Sequence, residues 1–344
     1  MRKVTVIGHF GFGFEYLDGQ TIKTKIVTSE LERQYGEDQV CKIDTHGGVK
    51  VLLKAPLQIF RALKSSENVI ILPAHNGLRI NAPLLALERI FFKSRKIHYI
   101  VIGGWLPKFI QKRRMLRRSL ESFNGIYVET NTMRRALEEK GFKNIYVMPN
   151  CKNLRILDES ELVYQKSTPY RLCTFSRVQK EKGIETAIDV ISALNNKLGH
   201  VAYTLDIYGP IDTNQTQWFE DLRVRMPEYV SYKGSVDSDK SVELLQNYFA
   251  LLFPTHYYTE GIPGTIIDAY AAGIPVISAK WESFADMVRD GETGIGYEFD
   301  DSDSLETTLL NIASDPQKML GMKVNCIAAA QKYLPKNVIQ TLKL

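Results

Sequence analysis

Along the whole chain, short runs of apolar and β-branched residues alternate with longer amphipathic stretches. In the first half the runs are VTVIG, VCKI, VIIL, HYIVIG, GIYVE and IYVMP, the pattern of buried strands bounded by turns. The stretches between them, at about 20–35, 49–64, 83–93, 108–122 and 132–140, have the length and spacing of helices. The second half repeats the style, with strands YRLCTFS, YTLDIYG, VSYKG, ALLFPT and PVIS and helices expected at 183–198, 214–225, 238–247 and 264–272. Strands separated by helices pair in parallel, with the helices as crossovers. The expected fold is therefore α/β, built as two Rossmann-like doubly wound domains facing a cleft, with ligands beyond the carboxyl ends of the strands. The polar stretch 158–169 is the expected linker. Residues 1–165 would form the first domain, 166–325 the second, and 326–344 a last helix returning to the first.

Composition fits an ordinary globular protein: 344 residues, 44% hydrophobic and 24% charged. Four scattered cysteines with no CxxC pair give neither a disulfide framework nor a zinc site, which points to a reducing cytoplasm. The start, MRKVTVIGHF, is basic and then apolar, but the apolar part is short, broken by His9 and followed by Glu15 and Asp18, so it reads as a strand rather than a leader. No run approaches the roughly 20 apolar residues of a membrane span. Charge is uneven: residues 1–150 hold 25 Lys and Arg against 13 Asp and Glu (+12), and residues 151–344 hold 19 against 26 (−7). Such a split argues for two domains with different partners.

The densest candidate chemistry is EGIPGTIIDAYAAGIPVIS, Glu260 to Ser278. A strand ends before it, and the helix beginning near Gly264 offers unpaired backbone N–H groups and the positive end of its dipole. Gly261 and Gly264 let a phosphate approach closely. Glu260 and Asp268 stand on either side as acceptors for hydroxyls. The bland reading makes Glu260 a helix-start charge and Asp268 a solvated helix residue. A second candidate is SRVQKEKG after YRLCTF, where Arg177 and Lys182 flank a turn closed by Gly183 and would neutralise a diphosphate. Its bland reading is a pair of solvated cations. GHFGFGFEY has Gly11-x-Gly13 but Tyr16 where a dinucleotide fingerprint needs its third glycine, so it reads as an acceptor-side loop.

In this order and spacing the pieces resemble the GT-B glycosyltransferases, in particular the retaining family 4. Glu260-x7-Asp268 followed by AYAAGIPVIS is similar to that family's E-x7-E with "EAMAxGxPVI". WESFADMVRDGETGIGYEFDD, SRVQKEKG, DIYGP and VMPNCKNL resemble its "GGxxExVxDGxxGxL", "GRLxxxKG", "xxGxG" and "xIPNGVD". The resemblance implies that Glu260 contacts the donor sugar and that Asp268, one methylene shorter than the family residue, holds the ribose. It implies that Arg177 and Lys182 bind the diphosphate with the backbone of Gly261, Ile262, Gly264 and Thr265, that Gly209 lies near the base, and that His75 lies near the reacting sugar. Ser176 replaces a usual glycine, Gly19 and Gln20 are the nearest equivalents of an N-terminal Gly-Gly pair, and Gly103-Gly104-Trp105 stands where a second histidine is often seen.

The function implied is retaining transfer of a sugar from a nucleotide-sugar, a UDP-sugar, to a hydroxyl of a lipid-linked glycan in capsule or exopolysaccharide-type synthesis, with no cofactor and no metal. Domain closure would exclude water from the reacting centre. Asp237-Ser238-Asp239 and Asp301-Ser302-Asp303 could pass for metal-binding pairs but read as helix-start turns. The basic stretch LPKFIQKRRMLRRSLESF sets Lys108, Lys112, Arg113, Arg114, Arg117 and Arg118 around an apolar stripe of Phe109, Ile110, Met115, Leu116 and Leu120. It reads as an anionic-membrane surface, or as a core-packed helix with a solvated face, and no motif for nucleic acid accompanies it. The expected location is cytoplasmic, peripheral at the inner face of the cell membrane. Two alternatives stay open: a silent GT-B subunit supporting a partner transferase, and a nucleotide-sugar epimerase on the same fold.

Overall fold

Each apolar run becomes a strand, and every strand pairing is parallel, in a computed structural model that describes residues 1–14, 18–47 and 49–344. Glu15, Tyr16 and Leu17 of the N-terminal loop, and Gly48, lie outside the described residues, so the fingerprint position at Tyr16 is not assessed. The chain divides into two compact units, Met1–Asn153 with Tyr333–Leu344, and Leu154–Lys332.

In the first unit the order is β1 (Arg2–Gly8), α1 (Gly19–Tyr35), β2 (Val40–Asp44), α2 (Val49–Ser65), β3 (Ser66–Ile71), α3 (His75–Glu88), β4 (Lys96–Ile100), α4 (Leu106–Phe109), α5 (Arg114–Glu121), β5 (Gly125–Val128), α6 (Asn131–Glu138) and β6 (Ile145–Val147). The sheet runs β2-β1-β3-β4-β5-β6, so strand order reverses between β1 and β3. One face packs Ile7, Val69, Ile71 and Tyr99 against α2, α3 and α5, and the other packs Val4, Val6 and Ile70 against α1. Lys23 of α1 is buried and pairs with Glu129 at 2.6 Å, which satisfies both charges inside the unit.

The second unit follows with β7 (Tyr170–Phe175), α7 (Ile184–Leu198), β8 (Tyr203–Tyr208), α8 (Thr216–Val224), β9 (Val230–Gly234), α9 (Ser241–Leu245), β10 (Ala250–Phe253), α10 (Gly264–Ala271), β11 (Val276–Ala279), α11 (Phe284–Met287), β12 (Gly294–Tyr297), α12 (Ser302–Ser314), α13 (Gln317–Gly321) and α14 (Lys323–Ala330). Its sheet runs β12-β11-β10-β7-β8-β9, with the reversal between β7 and β10. The chain then re-enters the first unit as α15 (Pro335–Val338), where Val338 and Ile339 join the core under Val27 and Leu31.

Several elements differ from the sequence expectation. The helix expected to open near Pro83 begins at His75, because Leu78, Ala82 and Leu85 form a buried stripe at helical spacing that carries Pro83 in its interior. The helix expected over 108–122 is two, α4 and α5. Leu106 and Ile110 are buried, and so are Leu116 and Leu120, but the six-residue step from Ile110 to Leu116 is out of phase with one helix. The turn at 110–113 resets the phase and leaves Met115, expected in the apolar stripe, 72% exposed. The terminal stretch is likewise several pieces rather than one helix, broken where Leu334 is extended before Pro335. Residues 154–165, placed with the first domain above, join the second unit: Leu157 N–H donates to the Ala271 carbonyl at 3.0 Å, and Leu162 packs over Gly273. The two Asp-x-Asp strings stand at helix starts, with Asp301 capping α12 through Ser304 N–H and Asp237 preceding a single 3-10 turn.

Candidate active site

The reversal between β7 and β10 sends the loops after these strands apart and leaves a crevice at their carboxyl ends. Backbone contacts fix those loops. Gly183, at φ +69°, closes the turn after β7, and a Cβ there would lie 1.8 Å from the Pro254 carbonyl oxygen that follows β10. Gly209, after β8 at φ +132°, approaches the Ser176 carbonyl just as closely, at 1.9 Å from its would-be Cβ. Only glycine meets both conditions.

On this base the structure brings Lys182 and Glu260 together as an ion pair, each side chain 17% exposed. Thr255 donates its hydroxyl to Glu260 Oε1 at 3.3 Å and accepts the Tyr257 N–H at 3.1 Å, which orients the carboxylate. The Lys182 ammonium lies 5.0 Å from the Tyr257 ring centroid and 5.7 Å from that of Phe253. Burial, with Glu181 and Glu260 nearby, raises the Tyr257 pKa and keeps the phenol protonated. Gln179 donates to that phenol at 3.3 Å.

Next to the pair, α10 begins at Gly264 behind Pro263, and no side chain caps it. The Thr265 hydroxyl, in its first turn, is buried and has no hydrogen-bond partner among the described residues. Ile262 is buried and Gly261 precedes it. Asp268 faces inward: it is 1% exposed and accepts the Ser241 hydroxyl of α9 at 3.0 Å. Arg177 is 52% exposed, with Nη1 3.6 Å from Asp212 Oδ2. Of the residues singled out from sequence, then, Lys182, Glu260 and the start of α10 form one constellation, and Arg177 and Gly209 lie on the neighbouring loops after β7 and β8. Thr255, Tyr257, Asp212 and Ser241 were not singled out. Thr255 ends the quoted strand ALLFPT, so its place was visible and its partner was not.

In the first unit the loops after β1 and β3 enclose a cavity of about 440 Å³. Its floor is Ile7, Ala55, Ile59 and Pro73, and its polar groups are His9, Gln20, Thr45, Gln58, His75, Asn76 and Asn81, with no carboxylate, guanidinium or ammonium among the described residues that line it. Asn81 is 5% exposed and lines this cavity. Gln20 spends its amide N–H on the Leu72 carbonyl at 3.0 Å and keeps its oxygen as an acceptor. Gly19 opens α1 beside it, with Asp18 as the cap. His75 stacks on Trp105, ring centroids 3.8 Å apart, and burial together with the Arg113 charge lowers its pKa, so the imidazole is neutral at pH 7. His9 is held by a relay: the Thr21 hydroxyl donates to Asp18 Oδ2 (2.7 Å), so His9 Nδ1 must donate to Thr21 Oγ1 (2.7 Å) and leaves Nε2 toward His46 Nδ1 at 3.2 Å.

Lys108, Lys112, Arg113, Arg114, Arg117 and Arg118 are all exposed. Two are engaged locally: Arg113 lies 4.0 Å over the Phe109 ring, and Arg117 meets Glu121 at 2.8 Å and the Lys140 carbonyl.

Residues 169–315 match the family model described as "Glycosyl transferases group 1", so the second unit carries a glycosyltransferase family domain. The chain is 26% identical over 153 residues to a glycogen synthase of Mycobacterium tuberculosis, covering 44% of this chain and 36% of that protein. It is 23% identical over 149 residues to the amylovoran biosynthesis glycosyltransferase AmsK of Erwinia amylovora, 42% of this chain and 36% of that protein. The chain thus matches about a third of the length of these curated relatives. Among solved structures, Anabaena Alr3699/HepE in complex with UDP superposes with a TM-score of 0.73 at 14% identity, covering 99% of this chain and 98% of that one. The fold is that of the GT-B glycosyltransferases.

Proposed function

We propose that the chain transfers a sugar from a UDP-sugar to a hydroxyl of a glycan acceptor, with retention of configuration. The observation that carries this reading is the Lys182–Glu260 pair beside the uncapped start of α10. Lys182 and the helix end suit a diphosphate, and Glu260 suits the hydroxyls of the sugar attached to it. The acceptor oxygen bonds to the anomeric carbon, the bond from that carbon to the diphosphate breaks, and the acceptor proton leaves with the diphosphate. Positive charge from Lys182, Arg177 and the helix stabilises that leaving group, so no divalent ion is required in this reading and activity should survive EDTA. The UDP bound to HepE supports a uridine donor, and the name of AmsK supports a role in surface-polysaccharide synthesis. The cavity of the first unit, lined by amides and imidazoles over an apolar floor, suits the hydroxyls and CH faces of an acceptor sugar.

A thermal-shift screen with UDP, GDP, CDP, ADP and NAD near 1 mM tests the donor. A ligand with a Kd of about 10 μM stabilises the folded state by roughly 2.7 kcal/mol. A shift with UDP supports the reading; a shift with GDP alone changes the donor; no shift with any nucleotide sinks it. The buried Asp268 favours one second reading, a nucleotide-binding subunit without transfer, which nucleotide binding without turnover would establish.

The first unit also suits an anionic membrane at the inner face of the cell. Among the described residues no helix is long and apolar enough to cross a membrane. Leu53, Leu57 and Phe60 of α2, then Leu87, Ile90 and Phe91, are exposed, and Phe60 meets Phe92 at 5.3 Å between the two groups. Exposed cations including Lys54, Arg61, Lys93 and the α4–α5 set accompany them. Each cation near such a surface adds about 1 kcal/mol. Neutralising Arg113, Arg114, Arg117 and Arg118 together should release the protein from anionic vesicles; unchanged binding removes the lipid-linked setting.

A further inference from the structure

We propose that His256 is a positioning residue for the Lys182–Glu260 pair, an inference that rests on the donor-binding reading of that pair. His256 follows Thr255, the residue bonded to Glu260. Its own N–H donates at 2.9 Å to the carbonyl of Glu181, the neighbour of Lys182. Its ring Nδ1 lies 2.6 Å from Asp300 Oδ1, and its Nε2 lies 3.2 Å from the Thr186 hydroxyl. One residue therefore ties together the loop after β10, the turn that carries Lys182, the first turn of α7 and the turn between β12 and α12. Around it lies a cavity of about 200 Å³ walled by Thr186, Pro254, Thr255, Tyr297, Asp301 and Ser302.

Asp300 shows that this arrangement is specified. Its φ of +59° is the one positive value at a non-glycine residue among the described residues. An aspartate in that conformation is disfavoured against glycine, and the carboxylate bonded to His256 is what glycine would not supply. The carboxylate accepts only, so Nδ1 carries a proton toward it, and in the neutral ring Nε2 accepts from Thr186. The ring is thus fixed at both nitrogens. The turn it holds cannot retreat toward β10, because Gly183 already touches the Pro254 carbonyl. Lys182 has a flexible stem, so its meeting with Glu260 depends on where that turn sits.

The test measures UDP affinity by calorimetry, alongside Tm, for wild type, His256→Ala, His256→Gln, Asp300→Ala, Asp300→Gly and the His256→Ala/Asp300→Ala double variant. His256→Ala should bind UDP about tenfold more weakly at nearly unchanged Tm, both Asp300 variants should match it, and the double variant should be no weaker than either single. His256→Gln should recover to within about threefold of wild type, since one amide can donate to Asp300 and accept from Thr186. Wild-type affinity in His256→Ala or in Asp300→Gly overturns the proposal. So does a loss of affinity that follows a fall in Tm in every variant, glutamine included. Should the wild type itself not bind UDP, the donor reading fails and a second measurement decides: the rate at which an amine-reactive ester acylates Lys182, read by mass spectrometry. A faster rate in His256→Ala than in wild type supports the positioning role, and an equal rate overturns it.

Discussion

The two units solve the same topological problem with opposite chemistry. Each reverses strand order next to its first strand, and each gathers loop residues over the strand ends at that point. In the second unit the gathered groups are a lysine and a glutamate on loops locked by glycine backbone contacts. In the first they are amides and imidazoles around an apolar floor. The burial of charge is arranged the other way round. The first unit's buried Lys23 has Glu129 for a partner, while the second unit's buried Lys323 donates to the Gly273 carbonyl at 3.3 Å and has no carboxylate partner among the described residues. A crevice at a sheet reversal is therefore a place, and the side chains that reach it decide whether it favours charge or hydroxyls.

The contrast can be broken first at its charged end. Glu260→Ala should lower transfer by about three orders of magnitude, the scale of losing one preorganised electrostatic contact, with Tm kept; near-normal turnover removes the proposed site. Gly183→Ala should come next, destabilising the second unit by roughly 2–4 kcal/mol, because a methyl group meets a carbonyl oxygen at a left-handed backbone position. Denaturant unfolding would show it, and a cost under half a kcal/mol would mean the loops are not locked. At the neutral end, Asn81→Leu should raise the acceptor KM by about tenfold and leave UDP affinity alone, as expected for one lost hydrogen bond. A change confined to UDP affinity would reverse the assignment of the two crevices.

The smallest effect concerns Lys323. Burial lowers its amine from the ordinary 10.5 to about 8, with the neighbouring Cys326 opposing. Between pH 8 and 10.5 the unfolded chain holds a proton there that the folded chain lacks, so stability rises with pH across that window. The slope is at most about 1.4 kcal/mol per pH unit. Lys323→Met should remove that slope and raise Tm at pH 7, since a charge buried without an anion is lost. Parallel pH profiles in the two proteins would show that the amine is solvated.

The fold was legible because parallel strands buried on both faces are written as uninterrupted apolar runs, and eleven of them stood out by inspection. β12, GIGY, was missed because two of its four residues are glycine and it has no apolar run to show. Lys182 and Glu260 were found from their positions just after strands. That they would pair with each other was not readable, since 78 residues separate them. The inward turn of Asp268 toward Ser241 and the capture of Arg177 by Asp212 were hidden for the same reason. In the basic stretch the count of cations was plain, but the phase step between Ile110 and Leu116 that splits it into two helices needed the burial of each residue to be known.

The mutual satisfaction of Lys182 and Glu260 gives each charge a built-in counterion. In the proposed function, a diphosphate that takes Lys182 would displace an internal carboxylate rather than salt from solution, so that its capture would be an ion exchange within the protein. UDP affinity should then depend on ionic strength less steeply than an open lysine would require. The carboxylate released by that exchange would become available as the sugar arrives. The nucleotide end of a donor would thereby prepare the contact that its sugar end needs, and inorganic phosphate, which brings no sugar, would gain nothing from the trade.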